Sequence, residues 1–232
     1  MPVAGVSCRP RRPGPAASVC MDWTTAPDAF IERCILAIGG RTALYGVRAL
    51  LMQVRRTLMQ PPETIELEIL RAFGGRIRLI ERRPGCEPRV IVINGFAGQV
   101  MEQGRLVPLP ALELEAIKRR IRLYPRNFLA HAEEYDYAPP VADRDTDGDP
   151  IWRLDLPSEE VSYGFDAAHF QCRFLEDRET GERITYSDYV ATDGILTARR
   201  EQCWQAGQLI HEDDILYLAF NVPFDDADFT VL

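Results

Sequence analysis

Between Ala49 and Arg83 the chain alternates apolar and polar residues with a period of two. In ALLMQVRRTLM the apolar positions are Leu50, Met52, Val54 and Leu58. In ETIELEILRAF they are Ile65, Leu67, Ile69 and Phe73, opposed by Thr64, Glu66 and Glu68. GRIRLIERR continues the pattern with Ile77 and Leu79 against Arg76 and Arg78. Side chains two apart on a strand share a face, so each segment reads as a strand with one buried side. Pro61-Pro62 and Gly74-Gly75 mark the turns between them, which makes an antiparallel meander. PRVIVINGFAGQVMEQGRLVPLP adds two further strands, with turns near Asn94-Gly95 and Gln103-Gly104.

Two segments carry the helical period instead. TTAPDAFIERCILAIGG has Thr24 or Thr25 as cap, Pro27 in the first turn, Asp28 at the positive end of the dipole and Gly39-Gly40 as stop. Phe30, Ile31, Cys34, Ile35 and Ile38 share one face of this helix. From Pro110 to Tyr124, Leu112, Ala116, Ile117, Ile121 and Tyr124 line a second face, with Lys118, Arg119 and Arg122 off it, and Pro125 ends or kinks the helix. Strands then return around 135–137, 151–156, 162–166, 170–176, 183–190, 195–204 and 215–222, separated by turn clusters such as ETGE and ATDG. The expected fold is α+β, with about ten or eleven strands in mainly antiparallel sheet and two substantial helices.

Composition narrows the function classes. Of the 232 residues, 46% are apolar and 27% charged, enough to build a core, and residues 25–232 read as a single domain. A net charge of −8 argues against binding nucleic acid or anionic membrane through a basic face. Lys118 is the only lysine, and the arginines are spread along the chain rather than clustered. Cys8, Cys20, Cys34, Cys86, Cys172 and Cys203 form no C-x-x-C pair, and His131, His169 and His211 are far apart, so no zinc site is expected. The scatter suits reduced, mostly buried thiols. No segment approaches the roughly 18 apolar residues of a membrane-spanning helix. Residues 1–24, rich in Pro, Gly and Arg, read as a disordered tail without the apolar run of a secretory signal. As given, the chain defaults to the cytoplasm; a start at Met21 is also compatible with its pattern.

Several segments carry a family resemblance in their order. FIERCILAIGGRTALYGVRALLMQ gives a helix ending in Gly-Gly and leading into a strand; VADRDTDGDPIWRLDLP and TYSDYVATDGILTARR give two hairpins; LAFNVPFDDADF closes with a strand and an acidic, Phe-ended tail. Over about residues 27–229 this order resembles the family of outer-membrane lipoprotein carriers and sorting proteins (LolA/LolB-like). The resemblance implies a curved, incomplete antiparallel β-barrel closed by amphipathic helices over an apolar cavity for lipid or lipoprotein acyl chains. It also implies an envelope location, a lipoprotein or envelope protein as possible partner, and no catalysis. A buried chain gains about 0.8 kcal/mol per methylene, so such a site needs few polar contacts. The candidate ligand-binding residues are Leu50, Met52, Val54, Ile65, Leu67, Ile69, Ile77, Leu79, Leu112, Ile117 and Trp152. Their ordinary alternative is packed core. In the expected mechanism a helix, 30–38 or 112–124, shifts to admit the chain.

Three other segments suggest different chemistries. Asp143, Asp145, Asp147 and Gly148 match the first half of a calcium loop, but the twelfth position, which should be a bidentate carboxylate, is Leu154, and Pro150 with IWRLDL replaces the exiting helix. An Asp-Gly hairpin turn is the expected reading. His211–Asp214 (HEDD) reads as the polar tip of a hairpin, with a hydrolase base as the alternative, and Asp188 as a strand carboxylate. No nucleophile elbow, Walker loop or dinucleotide fingerprint is present, so no catalytic residue, metal or cofactor is expected. A sensor or protein-interaction module on the same fold remains the alternative to a carrier.

Overall fold

The computed structural model describes residues 23–230. Most of residues 1–24, with Cys8, Cys20 and Met21, lies outside the described residues. Trp23 does not: its indole packs edge-on against Phe30 and Phe170, at 5.9 and 5.8 Å between ring centroids.

Thirteen strands form one antiparallel sheet. The first meander consists of β1 (Ala49–Met59), β2 (Pro62–Ala72), β3 (Arg76–Arg82), β4 (Arg89–Asn94), β5 (Ala97–Glu102) and β6 (Arg105–Pro108). The second consists of β7 (Val141–Arg144), β8 (Pro150–Leu156), β9 (Val161–Asp166), β10 (Cys172–Asp177), β11 (Glu182–Thr192), β12 (Ile195–Gln205) and β13 (Gln208–Phe220). They join where β13 pairs with β1, which leaves β6 and β7 as the two edges. Bulges at Gln53/Val54, Cys172/Phe174 and Cys203/Trp204 add local twist and help the open sheet to curve. At Gly164 a Cβ would fall 2.1 Å from the Phe174 ring, so the cross-strand aromatic lies flat only over glycine.

The topology forces the helices across the sheet. The chain must travel from edge strand β6 to the opposite edge strand β7, and that connection carries α3 (Ala111–Arg122) and α4 (Pro125–Ala130). α4 is anchored by Phe128, which stacks on Tyr163 at 4.6 Å, while the Tyr163 hydroxyl donates to the Leu123 carbonyl at 2.7 Å. The N-terminal α1 (Pro27–Ala37) and the short α2 (Arg41–Tyr45) cover the same face. All five apolar residues expected on the first helix face are buried, and Phe30 is 0% exposed. The N-cap position falls to Ala26, which supplies no side-chain hydrogen bond, rather than to a threonine.

The opposite face is partly covered too. Phe224 and Phe229 flank Arg76, whose guanidinium lies 4.9 and 5.0 Å from their ring centroids, and Phe229 packs with Leu70 and Val92. Thus Leu70, a residue on the polar side of the β2 alternation, is buried beneath the C-terminal segment.

Further expectations need correction: the sheet has thirteen strands rather than ten or eleven, because three strands rather than two follow β3. Residues 135–137 are irregular, and the strand preceding β8 is Val141–Arg144. Phe73 lies beyond the end of β2 and is 73% exposed. The C-terminal hairpin turns at Ala206-Gly207, so HEDD sits within β13 rather than at its tip. Leu112 is 89% exposed; the buried residue of that turn is Leu114.

The Asp-rich segment is the β7–β8 hairpin. The Asp145 carboxylate accepts the backbone N–H groups of Asp147 and Asp149 at 3.0 and 2.9 Å, and Arg173 lies 3.2 Å from its other oxygen. Among the described cysteines, Cys34, Cys172 and Cys203 are buried free thiols and Cys86 is exposed.

Candidate functional site

Where α3 passes over β1–β3 and the β12–β13 pair, it does not close down on the sheet. A pocket of about 280 Å³ remains between them. Period two builds its floor. Leu50, Met52 and Val54 of β1, Leu67 and Ile69 of β2, and Ile77 and Leu79 of β3 all point inward, joined by Ile215 and Leu218 of β13. Register places the stripes side by side, with Met52 opposite Ile69 and Leu218, and Ile69 opposite Leu79. Ile117 and Ile121 of α3 face them from above.

Eight of the eleven sequence-derived candidates therefore surround one pocket. The other three do not. Ile65 is packed in the main core, Leu112 faces solvent, and Trp152 packs near Phe30 at 6.3 Å under α1. Leu112 lies a near-helical interval from Ala116, which suggests a shared face. The inward side of α3 instead runs through Leu114, Ile117 and Ile121 and is interrupted by Arg120.

The pocket residues absent from the sequence-derived candidates include the apolar Ile121, Ile215 and Leu218, but most are polar, and two of those carry a sequence signal. Arg56 stands in phase with Leu50, Met52 and Val54, and Arg71 in phase with Leu67 and Ile69; both line the pocket. At one end, Arg56 grips Asp213 with two hydrogen bonds of 2.7 Å. Arg120 lies 3.7 Å from Glu182 and also lines the pocket. Burial, then the neighbouring Asp213, raises the Glu201 carboxyl to about 7, against the opposing pull of Arg120, Tyr124 and Arg56. His211 is buried beside this group, 3.9 Å from Asp213. Burial and then Arg56 lower it to about 4, so it is neutral at pH 7. The HEDD run is thus split by the pleat: His211 and Asp213 turn inward, while Asp214 pairs with Arg200 at 3.1 Å.

At the other end, Arg71 and Arg126 face the pocket with Tyr124 and Thr197. Arg126 is 8% exposed, with its guanidinium 5.1 Å from the Phe220 ring.

Ion pairs hold α3 at both ends. Arg89 of β4 meets Glu113 at 2.8 Å, Arg122 meets Glu159 at 2.9 Å, and Arg119 meets Asp177 at 3.1 Å. The Arg122–Glu159 pair is exposed and contributes at most about 1 kcal/mol, whereas Arg119–Asp177 is partly buried; within α3 itself Leu114 is the one buried residue.

A second depression, of about 1040 Å³, opens beside β9–β12. Many of its lining residues are polar or charged, and some are already paired, such as Arg173 with Asp145. Among the described residues no helix is long and apolar enough to cross a membrane, and no group of three or more acidic, His or Cys side chains is arranged to hold a metal.

The thirteen-stranded curved open sheet with helices on one face is the LolA-like half-barrel α+β fold. No protein-family profile matches the chain, and no curated protein matches it in sequence. Solved structures do match in fold. A DUF1329 family protein from Desulfovibrio piger aligns with a TM-score of 0.61 at 12% identity, over 88% of this chain and 96% of that one. A LolA superfamily protein from Nitrosomonas europaea aligns at 0.58 and 12% identity, over 88% and 97%. A domain described as outer-membrane lipoprotein-sorting, from Vibrio parahaemolyticus, aligns at 0.53 and 12% identity, over 87% and 94%. At this identity the likeness concerns the fold.

Proposed function

We propose that the protein is a non-enzymatic binder or carrier of a single acyl chain, or a similar flexible apolar ligand, held between α3 and the β1–β3 floor. The observation that supports this most is the pocket itself: aliphatic side chains from four strands and one helix line a space their neighbours leave unfilled. Its volume of about 280 Å³ falls just below the roughly 300–1,000 Å³ usual for ligand sites, which favours one chain over several. Each methylene taken out of water adds about 0.8 kcal/mol, so a medium-length chain needs little polar help. α3 is the helix that yields. Within α3 only Leu114 is buried and much of its hold on the sheet comes from partly exposed ion pairs, whereas α1 buries Phe30, Ile31, Cys34 and Ile35, with Phe30 edge-on to the fully buried Phe165. The similarity to LolA-superfamily and lipoprotein-sorting folds points the same way.

A hydrolase reading has less to rest on. His211 does not line the pocket, the Asp213 carboxylate is occupied by Arg56, and the pocket lining offers Thr197 but no serine or cysteine.

The test is displacement of a fluorescent fatty acid by laurate from delipidated protein. Wild type should bind one equivalent. Ile69→Trp, which fills the pocket from the middle of β2, should weaken uptake at least about tenfold while the unfolding midpoint falls modestly. Failure of wild type to take up any chain, or unchanged uptake by Ile69→Trp, would refute the reading.

A further inference from the structure

The two ends of the pocket differ in charge balance. At the Arg56 end every guanidinium has a carboxylate within 4 Å, Asp213 for Arg56 and Glu182 for Arg120. At the other end, among the described residues, neither Arg71 nor Arg126 has one. The hydrogen bond of the Arg126 guanidinium is to the neutral Asn127 amide oxygen at 3.3 Å.

Register explains how the two cations meet. Leu50 lies between Phe220 on β13 and Arg71 on β2, and Arg126 of α4 lies over the Phe220 ring. A third group shares the place. Thr197 is 4% exposed, its Oγ1 has no hydrogen-bond partner, and it lines both this pocket and a small adjoining recess with Arg126.

Two like charges brought together away from water repel and lose hydration, and an unpaired buried hydroxyl adds its own desolvation cost. A bound anion would relieve all three, accepting from two guanidinium forks and one hydroxyl. Burial and the Arg126 charge draw the Arg71 pKa down to about 9, which still leaves it cationic at neutral pH.

We infer that Arg71, Arg126 and Thr197 form a headgroup subsite that takes the carboxylate or phosphate of an anionic amphiphile, whose chain extends along Ile69 and Leu79 beneath α3. This rests on the acyl-chain reading and adds the chemistry of the head and the direction of the chain.

The experiment compares three ligands of one chain length on the delipidated full chain: laurate, dodecyl phosphate and uncharged dodecanol. Inorganic phosphate serves as a fourth arm. At least one anionic amphiphile should bind about tenfold or more tighter than dodecanol, the charge-assisted bonds accounting for the difference. Arg71→Gln and, separately, Arg126→Gln should each shrink that ratio toward one. Arg71→Gln should not lower the unfolding midpoint of the ligand-free protein, because it removes a repulsion. Dodecanol binding as tightly as both anions in wild type would overturn the subsite while leaving the acyl-chain reading intact. If no chain binds, both readings fall. Phosphate binding without chain uptake would reveal a small-anion site and overturn the amphiphile form.

Discussion

Phe30→Ala should cost about 3–5 kcal/mol of stability, read as a lower urea midpoint at unchanged slope. The ring is 0% exposed and meets Phe165 at 5.6 Å, Trp23 at 5.9 Å, Phe170 at 6.0 Å and Trp152 at 6.3 Å. Those partners come from β8, β9, the loop after β9 and the segment before α1, so they cannot close together over a missing ring. Leu112→Ala on α3 is the matched control. With its side chain 89% exposed, it should change stability by no more than about 0.5 kcal/mol. A cost below about 1 kcal/mol for Phe30→Ala would mean that α1 is not the fixed strut. α3 would then lose its distinction as the helix that moves.

The second large effect is on pH dependence, and it is hidden in the wild type. The Glu201 carboxyl is raised from 4.5 to about 7, so the folded state holds a proton that the unfolded state releases. Its contribution is fullest below pH 4.5 and is lost as pH rises through 7. His211 is lowered from 6.5 to about 4, so here the unfolded state holds the extra proton. It costs nothing above pH 6.5 and progressively destabilises the fold as pH falls toward 4. The windows overlap between 4.5 and 6.5 with opposite signs, and each can reach about 3 kcal/mol. The two slopes should therefore largely cancel. Glu201→Gln should gain stability relative to wild type as pH rises from 4.5 to 7, whereas His211→Gln should gain relative to wild type as pH falls from 6.5 to 4. Urea titrations across that range decide it. Slopes of the same sign, or flat differences for both variants, would contradict the buried arrangement around Asp213.

Strand periodicity made most of the sheet legible. The inward stripes of β1, β2 and β3 were apparent from Leu50, Met52, Val54, Leu67, Ile69, Ile77 and Leu79 alone, because a strand's alternation is a local property. Its ends were less so: Phe73 continues the alternation past the hairpin, and only the three-dimensional turn shows that it has left the sheet. Leu70 was unreadable for a different reason, since it is covered by Phe229 from the far end of the chain.

The polar half of the site is harder to read, because a charged side chain is ordinarily exposed. Arg56 and Arg71 continue inward stripes, and a charged residue in phase with an apolar run is itself a signal of a lined space. Arg126 could not be found this way, since nothing local says that α4 lies against Phe220. The polarity of HEDD suggests a hairpin tip, but the turn is at Ala206-Gly207, four residues before His211, and the pleat divides the run.

Native mass spectrometry of the freshly purified protein, followed by organic extraction of whatever it carries, tests the acyl-chain reading most directly. A bound species should survive desalting, and extraction should yield a lipid or fatty acid with a single acyl chain and an anionic head. The same preparation of Ile69→Trp should be stripped of it. A clean ligand-free mass, with no uptake of added laurate or dodecyl phosphate, would contradict the account and return the pocket to unfilled core.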